Sequence, residues 1–83
     1  MYYVYVLKSQ VDEKLYIGYT KNLKNRLQKH QYGEVLSTRP RRPFELIFYG
    51  GYKNMEDAKR REGYLKTSKG KSSLRMMLRD SLK

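Results

Sequence analysis

The sequence predicts an α+β arrangement within the broad α/β class, a three-stranded antiparallel sheet flanked by helices in the order β-β-α-β-α-α. Three observations lead there: three short runs dense in aromatic and β-branched residues, helical stretches with apolar residues three or four apart, and capping or turn residues at the junctions. Tyr2 to Leu7 is aromatic or branched almost throughout and reads as a buried strand. Ser9 to Glu13 is polar enough to turn the chain, and Leu15 to Tyr19 returns antiparallel in a hairpin. Asn22 is suited to cap a first helix with Leu23 and Leu27 on one stripe, and Gly33 stands where that helix should stop. Leu36 to Pro43 holds Thr38-Arg39-Pro40-Arg41-Arg42-Pro43; its two prolines exclude a helix, and an exposed basic loop is expected.

Phe44 to Tyr49 supplies the third strand, with a bulge or strand end expected at Gly50-Gly51. Asn54 caps a second helix running to about Thr67, whose first turn carries Glu56 and Asp57 where the helix dipole favours acids. Gly70 should break the pattern. Ser72 or Ser73 then caps a third helix, with Leu74, Met77, Leu78 and Leu82 on one side and Arg75, Arg79 and Lys83 on the other.

Composition limits the chemistry. An 83-residue chain has room for one domain with a modest core. It contains no cysteine and a single histidine, His30, which excludes disulfide frameworks, thiolate metal sites and multi-histidine zinc sites. The net charge of +11 calls for a polyanionic partner, a condition that nucleic acid, an anionic membrane surface and an acidic protein all satisfy; solubility alone is the bland alternative. No helix pairs a continuous basic face with the bulky Trp/Phe/Leu face of an interfacial anchor, so no membrane partner is expected. The apolar run at Met1 to Leu7 meets Lys8 too early for a secretory or spanning segment, and a cytoplasmic location is expected. Gly70-Lys71-Ser72 lacks the upstream glycine of a phosphate loop, because position 65 is Leu65.

Two placements on the helices carry functional weight. Arg26 and His30 project within about 60° of Leu23, so they border the buried stripe where a solubilising cation would face away. Glu62 follows Ala58 by four residues and precedes Leu65 by three, which puts a carboxylate in the core-facing arc. A buried carboxylate needs a partner, either a cation such as Arg26 or Arg60 or a metal ion. Of the nine tyrosines, each taken singly reads as a strand residue; Tyr5 and Tyr16 stand out because they lie on adjacent strands with Arg26 and His30 following in order.

Tyr3-Val4-Tyr5, Tyr16-Ile17-Gly18, Arg26, His30 and the Arg61-Glu62 pair, taken in that order and spacing, resemble the signature of the GIY-YIG nucleases, and closest are the short stand-alone bacterial proteins of that superfamily. The resemblance covers nearly the whole chain and implies one GIY-YIG nuclease-like domain over residues 1–83. It further implies a metal-dependent endonuclease hydrolysing phosphodiester bonds in DNA, with RNA less expected, and a catalytically weak or inactive nucleic-acid-binding module as the alternative. By the same resemblance Tyr5 and Tyr16 frame the attacking water, one as general base or proton relay, with His30 as the proton acceptor. Arg26 holds the scissile phosphate, and Glu62 holds one Mg²⁺ or Mn²⁺ that stabilises the leaving oxygen. Arg39, Arg41, Arg42, Lys69 and Lys71 are the expected nucleic-acid contacts. The chain departs from the family pattern at Tyr3-Val4, where Gly-Ile is usual, and at Lys71-Ser72-Ser73, where many members carry an asparagine.

Overall fold

Strand β1, Tyr2–Ser9, runs through the middle of the sheet because its residues can be buried on both faces. Val4, Tyr5, Val6 and Leu7 are all buried, and successive side chains enter different cores. The computed structural model describes residues 1–83. Strands β2, Leu15–Thr20, and β3, Phe44–Tyr52, pair antiparallel on either side of β1, giving the order β2-β1-β3. Tyr5 stands opposite Gly18 on β2 and Tyr49 on β3, while Leu7 stands opposite Tyr16.

Three helices flank the sheet: α1, Leu23–Gln31; α2, Met55–Leu65; and α3, Ser68–Met77. Leu23 and Leu27 of α1 pack with Tyr5, Leu7, Phe44 and Leu46 on one face. On the other face Val4, Val6 and Ile17 meet Ala58 and Leu65 of α2 and Leu74 of α3, with Leu78 just beyond it. The predicted order β-β-α-β-α-α is the observed one.

Several local expectations are corrected. Gly50 and Gly51 do not end the third strand or bulge it; they pair with Val4 and Tyr3 inside the ladder. The irregularity lies instead between Phe48 and Leu46, leaving Ile47 as the extra residue. Strict alternation would send Phe48 to the side of Leu46; the bulge lets Ile47 and Phe48 both join the α2/α3 core while Leu46 joins the other. Residues 36–43 contain a short 3-10 turn, Arg39–Arg41, because Pro40 falls in its first turn, where a missing N–H costs nothing. That loop is also only partly exposed, since Thr38 is buried and Arg41 half-buried.

The start of α3 differs most. Thr67, not Ser72 or Ser73, is its cap, accepting from the Gly70 N–H at 3.0 Å and donating to the Tyr64 carbonyl at 2.6 Å. Gly70 is inside the helix rather than breaking it. A side chain at that position would strike the Tyr64 carbonyl, so glycine allows α3 to turn sharply off the end of α2. Met77 is half exposed, leaving Leu74, Leu78 and Leu82 as the packed stripe.

Candidate active site

The register brings the first tyrosine of the site against a glycine. Tyr5 and Gly18 are cross-strand partners, and a Cβ at Gly18 would occupy the space of the Tyr5 ring and hydroxyl. The ring therefore lies over Gly18, fully buried, with its hydroxyl 2.8 Å from His30 Nε2. Tyr16, two residues before Gly18 and on the same face, is only half-buried; its ring centroid is 6.3 Å from that of Tyr5 and 5.1 Å from that of His30. The tyrosines thus occupy two depths, one inside and one at the rim.

Helix α1 supplies the charged members. Asn22 caps it, its side chain accepting from the Asn25 N–H at 3.0 Å, and Gly33 follows the helix with φ of 75°. Arg26 and His30 lie one turn apart on the sheet-facing border, as the spacing predicts, although His30 goes deeper than a border position, at 1% exposure. Arg26 Nε donates to the Tyr5 hydroxyl at 3.4 Å. His30 Nδ1 is 2.9 Å from Thr38 Oγ1, and the Thr38 hydroxyl donates to the Val35 carbonyl at 3.3 Å. With its proton committed to Val35, Thr38 accepts from Nδ1–H, so the Nε2 lone pair faces Tyr5 and the phenol donates to it. A continuous path runs from Tyr5 through His30 to Thr38.

Electrostatics set the resting state of this path. Burial pushes the Tyr5 phenol above its ordinary value, with the Arg26 hydrogen bond opposing and the nearby Tyr16 and Glu62 adding to the rise. Burial, then the Arg26 charge, lowers His30 to about 4. The Tyr5 bond raises Arg26 above its usual range, and the Tyr16 oxygen also contributes. At neutral pH the cluster is therefore a neutral phenol, a neutral imidazole and one guanidinium, and its single charge sits beside both phenol oxygens.

Glu62 stands apart from these four. It comes from α2, and no hydrogen bond or ion pair joins it to Tyr5, Tyr16, Arg26 or His30; its nearness is registered only by its effect on Tyr5. Its side chain is 23% exposed and pairs with Lys66 at 3.3 Å, one turn along, while Arg60 pairs with Asp57 at 3.0 Å. The expected partners Arg26 and Arg60 are thus replaced by Lys66, because the carboxylate lies at the edge of the core and not within it. No cluster of three acidic or imidazole side chains is present to cage a metal. A partly exposed lone carboxylate nevertheless fits Mg²⁺ or Mn²⁺, hard cations that keep several waters and take other ligands from a phosphate.

The basic residues do not form one patch. Arg39 Nε donates to the Gly33 carbonyl at 2.7 Å, and Arg42 donates to Arg39 and Gln31 carbonyls at 3.1 and 3.2 Å. Both clamp the loop while remaining exposed. Arg41 turns toward Lys71, both lining one cavity with Lys14 and Arg75, and Lys69 is exposed in the first turn of α3. Thr38 and Gly18 complete the site. Thr38 carries no periodic signal, whereas Gly18 was marked by its place in Tyr16-Ile17-Gly18.

Paired tyrosines of the sheet thus meet an arginine and a buried histidine of the first helix, and the family to which the chain is matched is of the nuclease type. The family model described as the GIY-YIG catalytic domain matches residues 1–75, and the chain belongs to that family. A UPF0213 protein of Clostridium perfringens is 37% identical over 84 residues, spanning 100% of this chain and 89% of that one. One from Oceanobacillus iheyensis is 41% identical over 66 residues, spanning 78% and 76%. The solution NMR structure of a UPF0213 protein from Bacillus halodurans superposes with a TM-score of 0.59 at 33% identity, covering 93% of this chain and 85% of that one.

Proposed function

We propose that residues 1–83 form one nuclease domain that hydrolyses phosphodiester bonds in DNA with the help of one divalent ion, acting in the cytoplasm. The observation that carries this reading is the Tyr5–His30–Arg26 hydrogen-bonded cluster with Tyr16 at its exposed rim. A binding module needs cations, whereas a buried phenol–imidazole path beside a half-exposed phenol and a guanidinium is what proton transfer at a phosphate requires.

The roles follow from depth and charge. Tyr16, half exposed, contacts and orients the attacking water; Tyr5, fully buried, does not touch it. Arg26 has its Nε on Tyr5, which leaves its Nη groups to hold the scissile phosphate and to oppose the charge gained as water oxygen bonds to phosphorus. The proton that the water loses passes to the Tyr16 oxygen as Tyr16 passes its own to the Tyr5 oxygen, and His30 Nε2 takes up the proton that Tyr5 releases, with Arg26 stabilising the transient negative charge on the phenol oxygens. Thr38 keeps that nitrogen facing Tyr5. Glu62 is the residue that would hold Mg²⁺ or Mn²⁺, which supplies Lewis-acid stabilisation at the leaving oxygen.

A second reading, a nucleic-acid-binding module, is favoured by one observation, the ion pair between Glu62 and Lys66. A panel of single-stranded, duplex and branched DNA, with matching RNA, incubated with Mg²⁺ or Mn²⁺ and with chelator, separates the two. Cleavage that needs the metal and is lost in Glu62→Gln supports the enzyme. Binding without metal-dependent cleavage of any substrate supports the module.

A further inference from the structure

Across the sheet from the Tyr5–His30 cluster, Lys14, Arg41, Lys71 and Arg75 line a single cavity of about 310 Å³ together with Leu15 and Ile17. Leu15 and Ile17 belong to the α2/α3 core, whereas Tyr16 between them belongs to the other face. The four cations come from the β1–β2 turn, the loop before β3 and two successive turns of α3. Chain proximity therefore does not explain why they meet; the fold brings them there.

Their charge is left largely uncompensated. Asp12 is the one acid paired with any of them, with its Oδ2 3.3 Å from Arg41 Nε, and no ion pair engages Lys14, Lys71 or Arg75. Arg41 Nη2 is buried without a hydrogen-bond partner. Lys71 and Arg75 stand four residues apart on one helix, a repulsive spacing for like charges. By contrast Arg60, Lys66 and Lys83 each have a carboxylate close by. Cations gathered in a concavity with low-dielectric walls focus a positive potential that an anion relieves.

The geometry points to a second phosphate site, one that takes the terminal phosphate of a nucleic-acid strand, separate from the phosphate that is cut. This inference rests on nucleic acid being the ligand of the chain. An internal phosphodiester carries a single negative charge, whereas a terminal phosphomonoester approaches a dianion near neutral pH. Four cations against one carboxylate suit the larger charge. A strand end enters a concavity that a continuous strand must pass over, and Leu15 and Ile17 give the attached sugar an apolar wall.

The test is fluorescence anisotropy of the full chain, in chelator, with one oligonucleotide prepared with a 5′-phosphate, a 3′-phosphate or hydroxyls at both ends. One phosphorylated form should bind at least about tenfold tighter than the hydroxyl form, the worth of a good charge-assisted contact. Lys71→Ala with Arg75→Ala, both exposed positions, should erase that ratio in protein whose circular dichroism is unchanged. Lys24→Ala with Lys29→Ala, an equal charge loss on the exposed side of α1, should leave the ratio intact. A nucleoside monophosphate should compete only at concentrations well above those of the strand; if it competes as well, the site takes free nucleotides and the strand assignment fails. Equal affinity for all three ends, or a ratio that survives the Lys71/Arg75 variant, overturns the pocket and leaves the nuclease reading standing. Absence of binding to every oligonucleotide overturns both.

Discussion

Tyr5 and His30 share one hydrogen bond in which the acceptor is held in place by a third residue, and the consequences are separable by mutation. Thr38→Val keeps the volume and removes the acceptor for His30 Nδ1, leaving a buried N–H without a partner. Urea unfolding should register a loss of about 1–3 kcal/mol. Under the proposed roles the hydrolysis rate should fall too, because the ring is free to turn its Nε2 from Tyr5. His30 itself makes stability depend on pH. Its folded pKa of about 4 lies below the ordinary 6.5, so the unfolded chain holds more protons between those values. The contribution is complete above about pH 6.5 and is lost as pH falls toward 4, amounting to about 3 kcal/mol over the interval. His30→Gln should flatten that part of the stability–pH curve; an unchanged slope would mean His30 is not held neutral by its surroundings.

At the scale of elements, two glycines with the same helical setting should respond in opposite directions. Gly63, within α2, has nothing within 4 Å of where a Cβ would stand, so Gly63→Ala should stabilise by about 0.5–1 kcal/mol through helix propensity. Gly70, in the first turn of α3, meets the Tyr64 carbonyl, and Gly70→Ala should cost about 1–3 kcal/mol as the α2–α3 corner opens. Thermal melts of the two variants check both signs in one experiment. Thr67→Ala removes the cap at the same corner and should cost about 1 kcal/mol. The corner matters for function because α2 carries Glu62 and α3 carries Lys71 and Arg75, so its angle decides how those groups stand relative to the sheet.

For the whole molecule, the net charge of +11 predicts nucleic-acid affinity that falls steeply with salt. The slope of log affinity against log salt should flatten by at most about three when Arg39, Arg41 and Arg42 are all replaced by alanine, if each meets one phosphate. Arg39 and Arg42 clamp backbone carbonyls, so the same variant should also loosen the loop that carries Thr38, and the rate should fall further than the slope implies. An unchanged slope removes this loop from the binding surface. Under the nuclease reading, Glu62→Gln should abolish metal-dependent cleavage with binding nearly intact, and Tyr16→Phe should slow it without changing the melting temperature. Cleavage undiminished in repurified Glu62→Gln protein would place the metal-binding group elsewhere.

The sequence by itself determined the element order, the three strands and the caps at Asn22 and Asn54. All of these rest on local spacing: period two along a strand, 3.6 along a helix, and side chains that bond their own backbone within three residues. What tertiary structure alone decided involves partners distant in sequence or contacts that spacing does not encode. Thr38 is tied to His30 because the basic loop folds back over α1, and Glu62 pairs with Lys66 because α2 leaves it at the core's edge. The bulge at Ile47 serves two cores at once, and Gly70 permits a helix where propensity argues for a break because a carbonyl of the preceding helix occupies its side-chain space. The four-cation cavity was beyond reach for the same reason: its walls come from the hairpin turn, the loop and the last helix, and only packing brings them together.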